Sequence, residues 1–375
     1  MISKLNDIKN ALNQKFFERE EEIEGMLVSL LSCQHMLLIG PPGTGKSYLA
    51  RELAEIVEGS SYFQWLMTKY TTPEEIFGAL SLEEFEKGNY YRNIKGKLPE
   101  AHIAFLDEIF KSNSAILNSL LTLINERVFY NNGVPVKSPL ITLIGASNEY
   151  PEEDEGLEAM FDRFLLRYEV KPVQERNNRI KIRKGEGRNI QVPSLSMKEL
   201  SELQMFVEMV NMSDSIHELF DDIYMELLDE GINVSQRRTD NAISILKAKA
   251  FLDNRSRVEE KDFSILQHIM WNEIEEKEIA AEIIKKYSED KVEVILETTE
   301  KEAKSILEEF EKNWDDNNPD YDQTKEVIQK LKHLCADLID LRKKYPERKE
   351  INVLLDKLRR EQQKIIDYAL LPNEY

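Results

Sequence analysis

Gly40-Pro41-Pro42-Gly43-Thr44-Gly45-Lys46-Ser47 is the stretch of sequence that decides the fold. It fits the pattern G-x-x-x-x-G-K-S/T and lies between an apolar run of strand length at 35–39 and an amphipathic helix pattern at 48–58. In this order, a glycine-rich loop turns its backbone N–H groups and a helix N-terminus towards phosphate groups. We predict that these eight residues and Tyr48 bind a nucleoside triphosphate, with Lys46 neutralising phosphate charge and the Ser47 hydroxyl binding Mg²⁺.

Strand and helix patterns alternate over residues 1–170, which predicts a parallel sheet covered by helices on both faces. Apolar runs of strand length lie at 35–39, 62–66, 102–106 and 140–144. Between the last two, Asn132-Gly133 stands among β-prone residues and predicts a projecting hairpin. We therefore expect an α/β nucleotide-binding core over residues 1–170.

The remaining sequence predicts helices. Residues 171–271 show helical signals only and are expected to form an all-α lid. Residues 272–375 are highly charged, and the polar segment 313–322 and the dipeptide Tyr345-Pro346 divide them into three helices of a C-terminal arm. An apolar stripe at steps of four and three indicates a coiled-coil-like helix in this arm, formed by Val327, Leu331, Leu334, Leu338, Leu341 and Tyr345.

Two adjacent carboxylates follow the apolar run 102–106. Because the carboxyl ends of parallel strands meet at one edge, Asp107 and Glu108 should lie beside the phosphate-binding loop. We expect Asp107 to hold Mg²⁺ through its water shell, and Glu108 to orient and deprotonate an attacking water. Taken alone, such a pair often marks only a strand running into a turn, but the loop at Gly40 favours the catalytic interpretation.

A neutral side chain follows the next strand. Asn148 comes directly after the run 140–147, where it could hydrogen-bond the γ-phosphate or the attacking water. An asparagine at a strand end is more often a turn former. Its position one strand after the carboxylate pair favours a role as sensor 1.

Arginines supply the last catalytic candidates. Arg163 ends a short helix pattern at 157–164, from which it could reach across a subunit boundary as an arginine finger. An ion pair with Asp162 is the alternative for this side chain, and Arg167 is the second candidate for the finger.

A second arginine position lies in the predicted lid. Arg237 and Arg238 open a helix there, and we expect one of them, with Arg237 favoured, to contact the triphosphate. Arginines at helix starts are commonly just solvated, which is the alternative for both.

Several motifs together resemble the MoxR branch of the AAA+ ATPases, and the RavA-type regulatory ATPases within it. The resemblance covers roughly residues 15–270 and is carried by Leu37–Ser47, Thr71–Gly78, Gly96–Ala101, Phe105–Lys111, Leu117–Arg127 and Ala146–Pro151. It implies a AAA+ core that uses ATP and Mg²⁺, with an insert in helix 2 between Ile76 and Leu98 and a hairpin before sensor 1. Both loops are then expected to face the pore of a ring.

The resemblance also implies a biological role. Members of this branch form hexameric rings, act as chaperone-like remodelers or assembly factors for protein complexes, and commonly work with a partner that carries a von Willebrand factor A domain. RavA-type proteins carry a small β-rich module in their helical arm, whereas this chain has only the polar segment 313–322 at the corresponding point.

Composition limits the remaining possibilities. The formal net charge of −20 over 375 residues favours protein partners over nucleic acid. The only cysteines, Cys33 and Cys335, are far apart, so neither a disulfide framework nor a zinc site is indicated. The chain opens without a signal-peptide pattern and lacks an apolar run of about 20 residues, so we expect a cytoplasmic protein that does not insert into membranes.

Two alternative functions stay open at this point. One is a ring motor stimulated by nucleic acid, with a basic pore lined by Lys69, Lys87, Arg92, Lys95 and Lys97. The other is a nucleotide-gated scaffold, in stress response or phage defence, in which slow hydrolysis times assembly.

Overall fold

The chain divides into two structural units, Met1–Ser288 and Glu289–Tyr375. The computed structural model describes residues 2–151, 157–289, 291–313, 321–346 and 348–370. Its strands are β1 (Met36–Ile39), β2 (Val57–Glu58), β3 (Tyr62–Leu66), β4 (Ile103–Asp107), β5 (Val128–Asn131), β6 (Val134–Lys137), β7 (Thr142–Ser147), β8 (Leu166–Glu169) and β9 (Leu195–Ser196).

Fifteen α-helices accompany these strands in the described residues. They are α1 (Ile2–Lys15), α2 (Glu20–Ser32), α3 (Lys46–Ile56), α4 (Pro73–Phe77), α5 (Leu82–Glu86), α6 (Ser114–Glu126), α7 (Glu158–Phe161), α8 (Arg176–Arg183), α9 (Met197–Glu208), α10 (Asp214–Asp229), α11 (Gln236–Leu252), α12 (Glu276–Ser288), α13 (Lys291–Asn313), α14 (Tyr321–Lys344) and α15 (Lys349–Leu370). Short 3₁₀ helices span Leu98–Glu100, Ile109–Lys111 and Glu260–His268. Within the described part of the chain, no helix has the length and apolar character needed to cross a membrane.

The first unit is organised around a parallel sheet, as the sequence predicted, and its strand order is β3-β4-β7-β1-β8. Strand β1 is an interior strand of this sheet: Leu38 pairs with Ala146 on one side and with Tyr168 on the other. Every residue of β1 and of β7 is buried, because both faces of the sheet are covered by helices. The carboxyl ends of β1, β4 and β7 therefore share one edge of the sheet, where the phosphate-binding loop leaves β1.

The predicted hairpin is present and is joined to the segment between Ile76 and Leu98, which the family resemblance identifies as an insert. Strands β5 and β6 pair antiparallel, and Asn132 and Gly133 take left-handed backbone angles (φ 53° and 73°) at the turn between them. Asn131 is buried, and its side chain accepts from the Arg92 backbone N–H at 2.7 Å and donates to the Arg92 carbonyl at 3.0 Å. One amide thus extends the hairpin's hydrogen bonding into the insert.

The helical lid follows the sheet, with one departure from the predicted pattern. Helices α9, α10 and α11 and the 3₁₀ helix at Glu260–His268 are present as expected. However, the helix predicted to run to Glu58 ends at Ile56, and Val57–Glu58 instead pairs in parallel with Leu195–Ser196 in the region predicted to be helical only. Two-residue strands are too short for hydrophobic periodicity to reveal, so the sequence patterns missed this pair.

The second unit contains α13, α14 and α15. The predicted apolar stripe of α14 faces its core: Leu331 and Leu338 are fully buried, as is Ile351 of α15. Helix α12 packs in the first unit against the 3₁₀ helix at Glu260–His268. The sequence had predicted that the arm begins at residue 272, before this helix. Most of the polar segment at 313–322 lies outside the described residues.

The buried amide of Asn131 allows a test of the link between hairpin and insert. Asn131→Leu keeps the number and branching of the side-chain heavy atoms but leaves the backbone N–H and carbonyl of Arg92 unpaired, so we expect the free energy of unfolding to fall by about 1–3 kcal/mol. Urea denaturation followed by circular dichroism measures this change. Val134→Thr, on an exposed position of the same hairpin, serves as the control and should leave stability within about 0.5 kcal/mol; equal stabilities of the two variants would contradict the proposed link.

Candidate functional site

The phosphate-binding loop takes its shape from its glycines. Gly43 and Gly45 have left-handed backbone angles (φ 81° and 91°), which residues with a side chain rarely adopt. At Gly40, an added Cβ would lie 2.2 Å from the carbonyl oxygen of Val170, so only glycine allows β8 to approach the loop this closely. Helix α3 then begins at Lys46, and its first N–H groups have no intrahelical acceptor. The loop therefore has the form of an anion-binding cradle.

Lys46 points back into this cradle. Its ammonium group donates to the carbonyl oxygens of Gly40 and Pro41 and to Oδ1 of Asn148, the last at 3.2 Å. The residue is only 7% exposed. Burial lowers the pKa of Lys46, and the nearby carboxylates of Asp107 and Glu108 oppose that shift. The positive charge thus lies where the loop would hold a phosphate.

Ser47 and Asp107 meet at the same edge of the sheet. The Ser47 hydroxyl lies 3.5 Å from Oδ2 of Asp107, although the two residues are 60 positions apart. Hydroxyl and carboxylate oxygens are ligands that suit Mg²⁺, which binds proteins through one or two carboxylates together with substrate phosphates. These two side chains therefore fit a magnesium ion bridging the protein and a nucleotide.

Glu108 is held by two neighbours. Its backbone is left-handed (φ 54°), which directs the side chain out of the strand that ends at Asp107. One carboxylate oxygen accepts from the Asn148 amide, and the other lies 3.1 Å from the Lys111 ammonium. Since Asn148 also accepts from Lys46, its amide connects the Lys46 ammonium to the Glu108 carboxylate. Asn148, Lys46 and Glu108 are thus brought together as the sequence analysis expected.

Arg163, Arg237 and Arg238 lie at the amino ends of the parallel strands, opposite the phosphate-binding loop. A cavity of about 390 Å³ opens there, lined by Cys33, Gln34, His35, Ile124, Asn125, Arg127, Asp162, Arg163, Leu165, Arg237, Arg238 and Asn241. Residues 33–35 precede β1, whereas the phosphate-binding loop follows it. Four residues of extended chain span about 13 Å. Neither Arg163 nor Arg237 is therefore beside the phosphate-binding loop of its own chain.

Asp162 connects the lid to the candidate finger. Its Oδ1 accepts from Arg238 at 2.7 Å and from the Ser235 hydroxyl at 3.3 Å, and its Oδ2 lies 3.5 Å from Arg163. The ion pair that was the alternative for Arg163 is therefore present, but Arg163 remains partly exposed. Arg238 is 2% exposed, whereas Arg237 is exposed and donates to the side chain of Asn125. Burial lowers the pKa of both lid arginines.

Arg167, the second candidate for the finger, is enclosed in the protein. It is 1% exposed, and its guanidinium lies between the rings of Phe161 and Trp271, 4.6 and 4.1 Å from their centroids. It donates to the carbonyl oxygens of Ile269 and Trp271. Burial holds the pKa of Arg167 well below its usual range. This side chain joins β8 to the end of the lid, and it cannot reach outward from that position.

Two further residues border the loop and were not recognised in the sequence. Arg19, between α1 and α2, is buried and donates to the carbonyl oxygens of Thr44 and Lys171. Lys111 neighbours Glu108 as described above, and its spacing of three residues from that carboxylate is the signal that could have revealed it. Tyr48 is 42% exposed and packs against the ring of Phe16 with a centroid distance of 5.0 Å.

These features define a class of protein. A parallel sheet with a phosphate-binding loop, a carboxylate pair and an asparagine on adjacent strand ends, followed by a helical lid, is the architecture of a AAA+ ATPase. Residues 3–208 match the family described as "MoxR domain in the MoxR-vWA-beta-propeller ternary systems", and residues 211–284 match an AAA lid domain. The chain belongs to the MoxR family of AAA+ ATPases.

Known proteins extend this comparison. The chain is 37% identical over 351 residues to the uncharacterized protein MJ0079 of Methanocaldococcus jannaschii, an alignment that covers 91% of this chain and 90% of that protein. It is 29% identical over 167 residues to the chaperone MoxR1 of Mycobacterium tuberculosis, with 42% of each chain covered. A crystal structure of a proposed ATPase from Cytophaga hutchinsonii shares the fold, with a TM-score of 0.62 and 20% identity over 76% of this chain and 94% of that one.

The different surroundings of the two arginines generate a prediction. Arg167→Ala opens a gap between Phe161 and Trp271 and removes donors from two buried carbonyl groups, so we expect it to lower the free energy of unfolding by on the order of 3 kcal/mol. Arg163→Ala, at a partly exposed position, should change stability by less than about 1 kcal/mol. Thermal and urea denaturation of both variants provide the measurement; a stable Arg167→Ala protein would show that the buried guanidinium does not hold β8 to the lid.

Proposed function

We propose that this chain is a ring-forming ATPase that binds ATP with Mg²⁺ and uses hydrolysis to remodel or assemble protein complexes. The convergence of Lys46, Asn148 and Glu108 at one edge of the sheet carries the first part of the proposal. Membership of the MoxR family supports the chaperone-like role. The resemblance to RavA-type ATPases in particular remains part of the proposal.

Each residue of the loop edge has a role in the proposed reaction. The backbone of Gly40–Ser47 and the Lys46 ammonium bind the β- and γ-phosphates, and Ser47 and Asp107 would hold a magnesium ion, which would supply charge neutralisation at the phosphates. Glu108 takes a proton from the attacking water, and Asn148 orients that water or the γ-phosphate. Because Asn148 already connects Lys46 to Glu108, it can report the presence of the γ-phosphate to the carboxylate.

A second protomer completes this proposed site. Arg163 and Arg237 lie at the amino edge of the sheet, roughly the length of β1 away from the loop of the same chain. In a head-to-tail ring, the amino ends of the strands in one protomer would face the phosphate-binding loop of the next. Heterologous interfaces of this kind generate a closed ring where the rotation between protomers closes. Arg163 then acts as the finger, with Arg237 or Arg238 as the lid arginine, on the neighbour's triphosphate. The hexameric count follows the family.

The partner is proposed from the family as well. The matched family is described by its association with von Willebrand factor A and β-propeller proteins, so we propose a partner with a von Willebrand factor A domain. A protein client, rather than nucleic acid, is the proposed substrate. Two cations of the hypothetical basic pore form ion pairs with nearby carboxylates: Lys87 pairs with Glu83 and Glu84, and Arg92 pairs with Glu74.

Replacement of the proposed base gives the first test of the proposal. Glu108→Gln should bind ATP as the wild type does but hydrolyse it about 10²–10⁴-fold more slowly, because the amide cannot accept the proton of the attacking water. Calorimetry measures binding, and phosphate release measures turnover. Asp340→Asn, on the surface of the arm, is the control and should leave both unchanged. Wild-type turnover in Glu108→Gln would place the base elsewhere, and full biological function without turnover would favour the nucleotide-gated scaffold.

Mixed rings test the role of the neighbour. Lys46→Ala should abolish ATP binding, and Arg163→Ala should retain binding but lose about 10³–10⁵-fold in turnover. When the two inactive proteins are mixed, an Arg163→Ala loop meets an intact Arg163 from the Lys46→Ala protomer, so phosphate release should reappear. A mixture that stays as inactive as its components, although native mass spectrometry shows mixed rings, would show that Arg163 does not act across the boundary.

A further inference from the structure

Helix α8 presents an exposed positive stripe in a strongly acidic chain. Arg176, Arg179, Arg183 and the C-cap residue Lys184 follow the spacing i, i+3, i+7 and i+8, which places them on one side of the helix. Ile180 lies among them and is 36% exposed. Among the described residues, no ion pair involves Arg176, Arg183 or Lys184. These three cations therefore have no acidic partner in the part of the chain that the structure describes.

Such a stripe is unfavourable for an isolated helix, since like charges three and four residues apart destabilise it. Helix α8 is held in place from its N-terminal end instead. The Glu18 carboxylate accepts from the backbone N–H groups of Gln174 and Glu175, at 2.6 and 3.0 Å, and from the Asn178 amide at 3.0 Å. The same linker carries Arg19, which contacts the phosphate-binding loop. The stripe is thus fixed at the loop edge of the protomer.

Helix α10 of the lid presents the complementary surface. It contains no lysine or arginine, and five exposed acidic residues at positions i, i+4, i+7, i+8 and i+15 share one side of it: Asp214, Glu218, Asp221, Asp222 and Asp229. Met225 lies on the same side and is 50% exposed. An exposed apolar side chain among like charges therefore occurs on both helices, with opposite signs of charge.

The two stripes lie at opposite edges of the first unit. Helix α8 follows β8 at the loop edge, beside Glu18 and Arg19. Helix α10 ends at Asp229, only a few residues before Ser235, which bonds Asp162 in the arginine cavity. A head-to-tail ring that brings the arginine cavity of one protomer to the phosphate-binding loop of the next therefore allows the C-terminal end of α10 in the first protomer to approach α8 of the second.

We propose that α8 of each protomer docks on the acidic stripe of α10 in the neighbouring protomer, so that a second copy of this chain occupies the positive stripe. This inference rests on the proposed ring. The eight residues of α8 extend about 12 Å and the sixteen of α10 about 24 Å, so the positive stripe fits along part of the acidic one. Exposed ion pairs add little affinity individually, but several opposed charges set the register and speed association.

Charge reversal with rescue tests this contact. Arg183→Glu with Lys184→Glu should raise the protein concentration needed for half-maximal ring assembly by about tenfold or more, and Asp221→Lys with Asp222→Lys should do the same. The protein that carries all four substitutions should assemble near the wild-type concentration, because the attraction is restored with exchanged signs. Sedimentation velocity with ATP and Mg²⁺ measures assembly, and higher salt should weaken the wild-type ring.

Matched controls separate this inference from the proposed ATPase. Lys198→Glu with Arg257→Glu reverses two lid cations whose side chains are 86% and 74% exposed and lie on neither stripe, and should leave assembly unchanged. If the wild-type ring hydrolyses ATP and both charge-reversal variants assemble normally, the proposed docking of α8 on α10 is wrong, and the proposed ATPase activity stands. Loss of labelled DNA, RNA or polyglutamate binding in the α8 reversal, with normal assembly, would overturn it in favour of an external polyanion. Rescue in the four-substitution protein would also show that the single-helix variants had not simply misfolded.

Discussion

Strand β1 separates the two halves of the candidate site. Its carboxyl end leads into the phosphate-binding loop, and its amino end lies beside the arginine cavity. The strand is paired with a neighbour on each side and buried on both faces, which makes this separation rigid. If hydrolysis needs both the loop and the arginines, it needs two protomers, and nucleotide turnover becomes coupled to the geometry of the ring.

Partly buried polar contacts link the candidate site residues at each end of the parallel strands. Asn148 lies between Lys46 and Glu108 at the loop edge, and Asp162 lies between Arg163 and Arg238 at the opposite edge. In each case one short side chain contacts two functional groups. In the proposed site, a change at the γ-phosphate would reach the Glu108 carboxylate through Asn148, and a shift of the lid would reach Arg163 through Asp162.

The exposed elements include two pairs of features. The segment between Ile76 and Leu98 is joined to the hairpin through Asn131. A positive stripe lies on α8, and a negative stripe lies on α10. Surface charge of this kind contributes little to the stability of one protomer. In the proposed ring, this surface charge would set the order and the register in which protomers associate.

The sequence by itself determined the parallel sheet, the hairpin at Asn132-Gly133, the lid helices and the residues of the loop edge, because each depends on local spacing or on the rule that parallel strand ends share an edge. It could not determine where the arginines lie. Arg163 and Arg167 are four residues apart, yet one borders a cavity and the other is enclosed by Phe161 and Trp271. The strand pair of β2 and β9 and the packing of α12 in the first unit were also decided by tertiary contacts. Burial and long-range strand pairing depend on which distant segments pack together, and local sequence patterns do not indicate which segments these are.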